Sequence, residues 1–147
     1  MTEEFEHHWE DSNVRKAFVY NNRPCVVVQH PSIGHYCGYT KTTLPSVNHE
    51  DVSYSGVDNY VKLIEVHGGI TYGKTYDGWV GFDCAHADDI CWSENERVSG
   101  DFAEQYRNED TKDWYVEDVV EEVKYLADQL SALEQYIGNN FPTFNTY

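Results

Sequence analysis

VEDVVEEVKYLADQLSALEQYI, residues 116–137, decides the class of fold. Val116, Val119, Val123, Leu126, Leu130, Leu133 and Ile137 recur at alternating steps of three and four, while Glu117, Asp118, Glu121, Glu122, Lys124, Asp128 and Gln129 fill the opposite side. That period gathers the apolar residues into one stripe of an α-helix. Asp110, Thr111 or Asp113 suits its start as a cap, and Gly138 with Asn139 suits its end. A stripe in heptad step serves either a second copy of the helix, making a homodimer, or a sheet of the same chain. Covering a sheet is the expected use, because the upstream sequence supplies strands that need a cover.

Those strands are written in alternating and β-branched residues. Residues 17–20 and 25–29 flank Asn21-Asn22-Arg23-Pro24, a turn composition, and so predict a hairpin. A third run occupies residues 35–40. No period is sustained over 41–59, which is expected to be an ordered loop with one short helix. Residues 60–66 then alternate as a strand, followed by strand-like stretches at 70–72 and 79–83 joined by a loop with glycine at both ends. The expected architecture is α+β, an antiparallel β-sheet covered by a long C-terminal amphipathic helix. It forms one domain over 14–147, preceded by a polar, loosely packed tail over 1–13 in which His7 and His8 are solvated.

Composition narrows the classes of function. A net charge of -16 repels phosphate backbones, so direct nucleic-acid binding is not expected. The charge fits a soluble surface, or one that docks on a basic partner. No apolar run approaches the length needed to cross a bilayer, and the acidic start does not resemble a signal peptide, so a cytosolic protein is expected. In that compartment Cys25, Cys37, Cys84 and Cys91 are thiols.

Chemistry concentrates between His67 and His86. Gly68-Gly69 beside His67 has no packing value in a strand and implies either a tight turn or the close approach of another group. Phe82-Asp83-Cys84-Ala85-His86-Ala87-Asp88-Asp89 places polar side chains where a strand gives way to a loop. Three readings compete. Cys84 as nucleophile with His67 or His86 as base is disfavoured by the surrounding carboxylates, which oppose thiolate formation. A metal held by some of His67, Cys84, His86, Asp88 and Cys91 has suitable donors but no thiolate-finger spacing, and no metal or cofactor is expected. A binding site of His67, Gly68, Gly69, Tyr72, Trp79, Asp83 and His86 combines backbone donors with rings able to stack on a base. Beside all three stands a plain structural role for Asp83, Cys84 and His86, a buried hydrogen-bonded cluster that pins the loop to the sheet.

The strings Val66-His67-Gly68-Gly69-Ile70-Thr71-Tyr72 and Gly81-Phe82-Asp83-Cys84-Ala85-His86, with the earlier Cys37-Gly38-Tyr39, resemble a family of small bacteriophage and prophage proteins. The resemblance spans residues 35–137 and departs from the family pattern at Val80, where an aromatic is usual, and at Ala87, where glycine is usual. It implies a phage source and no mechanism. An accessory protein working in the cytoplasm of the infected bacterium is then expected, inhibiting host defence without catalysis. It would do so by sequestering a small nucleotide-like ligand or by blocking a basic host defence protein. The alternative is a hydrolase or transferase acting on a nucleotide through Cys84 with His67 or His86.

Overall fold

The structure, a computed structural model, describes residues 7–44, 63–73 and 78–140. Among the described residues eight strands and two α-helices follow in order. They are β1 (Val14–Tyr20), β2 (Arg23–Gln29), β3 (Tyr36–Lys41), β4 (Tyr72–Gly73), β5 (Trp79–Asp83), β6 (Asp89–Ser93), β7 (Glu96–Ser99), α1 (Asp101–Gln105), β8 (Lys112–Trp114) and α2 (Val116–Asn140). The first five strands make one antiparallel sheet in the order β1-β2-β3-β5-β4, and α2 covers one face of it. The expected α+β architecture is therefore present.

The β1–β2 hairpin closes on Asn21 and Asn22, both at positive φ (54° and 60°), the pair of left-handed residues that a two-residue turn of this twist requires. Strand β2 is apolar without alternation because both its faces are buried. Cys25 and Val27 meet α2, while Val26 and Val28 belong to a second cluster with Tyr39, Trp79 and Trp9. On the helix side Val119, Val123, Leu126 and Leu130 are fully buried, each contributing about 1.5–3 kcal/mol relative to exposure. Gly38 lets the helix approach, since a Cβ there would stand 2.5 Å from Val123 Cγ2. The apolar stripe is thus used inside the chain.

Four local expectations need correction. The tail is anchored at one residue: Trp9 is buried, stacks on Tyr39 at 4.6 Å and meets Trp79 edge-on at 5.1 Å, while His8, Glu10, Asp11 and Ser12 are exposed. Of the strand expected over 60–66, residues 60–62 lie outside the described residues and residues 63–66 belong to no strand. Ile64 and Val66 are buried under α2, and Gln129 accepts from the Glu65 N–H at 2.8 Å and donates to its carbonyl at 2.6 Å. The 70–72 strand is reduced to Tyr72–Gly73. Helix α2 starts after Tyr115, whose N–H donates to Asp118 at 2.9 Å, while Asp113 pairs with Arg107. The helix also runs on through Gly138. Residues 45–62, and with them most of the expected loop over 41–59, lie outside the described residues.

Strands β6, β7 and β8 form a second sheet in the order β7-β6-β8, with β6 and β8 parallel. It follows directly from β5 and returns to the start of α2. The β5–β6 loop, β8 and the 63–69 segment consequently meet at one edge of the molecule. Among the described residues no helix is long and apolar enough to cross a membrane.

Candidate functional site

At that edge the chain converges on one carboxylate. Asp89 opens β6 and is 2% exposed. His67 Nε2 stands 2.9 Å from both of its oxygens, and His86 Nδ1 stands 2.7 Å from Oδ2. The His86 backbone N–H donates to the same Oδ2 at 3.1 Å, and the Trp114 indole N–H donates to Oδ1 at 3.0 Å. Burial opposes the charge on Asp89, but the hydrogen bonds from His67 and His86 outweigh it and bring the carboxyl down to about 2.

Three elements set this geometry. A turn closed by the Asp89 N–H on the His86 carbonyl (3.0 Å) folds the loop back, so that residues three apart in sequence meet. Asp83 helps form the loop by accepting from the Ala85 N–H at 3.1 Å, and its carboxylate stands 3.8 Å from His86 Nε2. His67 arrives from the opposite side, its own N–H donated to Glu122 of α2 at 2.8 Å and its ring 4.5 Å from the Trp114 ring. The glycine pair has two distinct jobs. Gly68 (φ +69°) lies against the His86 ring, where a Cβ would come within 2.2 Å of Cε1, whereas Gly69 (φ +80°) has open space around it and donates to the Val66 carbonyl to close the turn.

The site residues expected from sequence divide into two groups. His67, Gly68, Gly69, Asp83 and His86 come together. Tyr72 and Trp79 belong to the other face of the sheet: Tyr72 stacks on His8 at 4.3 Å, and Trp79 is fully buried beneath Trp9 and Lys41. That face holds a cavity of about 240 Å³ lined by His8, Trp9, His30, Cys37 and Tyr39 among others. Cys84 turns the opposite way, into the core beneath α2, and is fully buried; its shared hydrogen bond with Cys91 and burial both push the thiol up, far from a nucleophile. Cys91 is equally buried, and Asp88 contributes its backbone carbonyl to Lys112 of β8.

Asp89, Trp114 and Glu122 are the partners that sequence reasoning passed over. The spacing His86-x-x-Asp89 was available as a signal, but choosing Asp89 over Asp88 requires the turn and the neighbour from β8. No protein-family model matches the chain, and neither a curated protein nor a solved structure matches it.

Proposed function

We propose that the chain acts by binding, as a phage-borne inhibitor that blocks a basic host defence protein in the bacterial cytoplasm. The observation that carries this reading is the surface around α1. Phe102 and Tyr106 are 62% and 57% exposed and in ring contact at 4.9 Å, and Asp101, Glu104, Glu109 and Asp110 are exposed on the same stretch of chain. The basic residues there are already engaged: Arg97 with Asp101 and Glu104, Arg107 with Asp113 at 3.0 Å. Net negative charge therefore surrounds two exposed rings. Charge of this kind steers a basic partner inward, and desolvated rings supply the short-range affinity.

A nucleotide-like ligand is the second reading, favoured by the rings of the cavity beside His8, Trp9 and Tyr39. No lysine or arginine lines that cavity, which weighs against a polyphosphate. The hydrolase reading loses support from the burial of Cys84.

The test is a defence-challenge assay in bacteria carrying single defence systems, run with folded variants. Phe102→Ala combined with Glu104→Lys and Glu109→Lys is expected to abolish inhibition, and Cys84→Ser to preserve it. Loss with Cys84→Ser while the surface variant remains active would replace docking with catalysis.

A further inference from the structure

The geometry points to a mononuclear site for a divalent transition-metal ion of the zinc class, held by His67, His86 and Asp89. One ligand atom from each lies within 4.8 Å of the others, so a single ion reaches all three. Two imidazoles and one carboxylate make a nitrogen-rich donor set that suits zinc and its neighbours and disfavours magnesium and calcium, which prefer oxygen. Bond lengths of about 2.0–2.2 Å to a tetrahedral ion place its ligand atoms about 3.3 Å apart. The observed contacts of 2.9 Å from His67 and 2.7 Å from His86 to Asp89 need to open by about half an ångström for the ion to enter. The ligand atoms, now spread within 4.8 Å of one another, would draw to that common spacing around the ion.

The surroundings match what a metal centre needs beyond its ligands. Trp114 N–H and the His86 backbone N–H each hold one oxygen of Asp89, orienting the carboxylate while leaving lone pairs facing the imidazoles. When His67 binds through Nε2 and His86 through Nδ1, their protons sit on Nδ1 and Nε2 respectively. His86 Nε2 then carries its proton on the ring edge nearest Asp83, whose carboxylate stands 3.8 Å away and favours that tautomer electrostatically. Gly68 supplies the clearance that lets the His86 ring lie where it does. The approach is open, since the side chains of His67 and His86 are 23% and 40% exposed while Asp89 is enclosed. Three protein ligands leave one position for water or for a donor from a bound partner.

The experiment titrates chelator-stripped, tag-free protein with zinc alone in the presence of a chromophoric competitor, and repeats it with cobalt to read the ligand set from the visible spectrum. One zinc per chain is expected, with binding weakened at least tenfold by His86→Ala and by His67→Ala, and unchanged by His7→Ala/His8→Ala. The cobalt spectrum should be that of a nitrogen and oxygen site without thiolate charge transfer. His86→Ala is the primary variant because its side chain is the most exposed of the three ligands, and its folding is checked by thermal unfolding without metal. A thiolate band, zinc retained within twofold by both histidine variants, or zinc lost with His7 and His8 would each overturn the assignment. The outcome is independent of the docking surface around α1, which contains none of these ligands.

Discussion

At the scale of single residues, Gly68 and Gly69 separate two effects that glycine usually confounds. Both hold φ near +70° to +80°, so alanine at either position costs about 1 kcal/mol of backbone strain. Only Gly68 also has a ring where the Cβ would go. Gly68→Ala is therefore expected to lower the unfolding free energy more than Gly69→Ala, and His86→Ala in the same chain should remove the difference. A double-mutant cycle measures this, and equal costs at the two glycines would contradict it. His35 supplies a pH dependence. It is buried against His30, with ring centroids 4.9 Å apart, and burial followed by the charge of His30 lowers its pKa from the ordinary 6.5. The unfolded chain then binds the proton more readily. The full contribution of this site to stability is present above pH 6.5 and is lost as pH falls through the lowered folded value. Relative to His35→Gln, the wild type should lose thermal stability more steeply on acidification below pH 6.5, and parallel curves would exclude the effect. The site itself was half legible at this scale. His67 and His86 stand out beside glycines and at a strand end, but Asp89 is chosen by a turn and by an indole from β8.

At the scale of elements, α2 was readable because a 3.6-residue period survives without knowledge of what it packs on. One residue on its buried side breaks the pattern. Glu134 is 3% exposed and receives Arg23 of β2 through two bonds, at 3.0 and 2.8 Å, with the Thr42 hydroxyl donating to it at 2.7 Å. Removing one partner leaves the other charge buried alone, so Glu134→Ala should cost about 3–5 kcal/mol in chemical denaturation. Replacing both, as Arg23→Met/Glu134→Leu, should recover most of that, and an additive double loss would argue against the pairing. The second sheet was not readable. Its strands are three to five residues long, and the central β6 pairs in parallel with β8, across β7 and α1. Nothing local in sequence encodes a partner at that separation, and Cys91 is buried in the cluster it shares with residues of α2, far along the chain.

For the whole molecule, 26 acidic side chains on 147 residues oppose the compact state by mutual repulsion. Screening should relieve it, so the thermal midpoint is expected to rise as sodium chloride increases from about 20 to about 300 mM. The rise should shrink when Glu104, Glu109, Asp110 and Glu117 are neutralised to amides. A midpoint that falls with salt would mean that pairs such as Arg107–Asp113 outweigh the repulsion. The same field would speed encounter with a basic partner at low ionic strength.

Gln129 spans two of these scales. One side-chain amide does for residue 65 what a neighbouring strand does elsewhere, accepting from its N–H and donating to its carbonyl. The stretch leading to His67 is thus templated, two positions before that histidine, by the rotamer of a helical residue 64 positions further along the chain. Isotope exchange should report this directly: the amide of Glu65 should exchange as slowly as a ladder amide in the native protein. In Gln129→Ala it should exchange as fast as an open loop, while the amides of β2 remain protected.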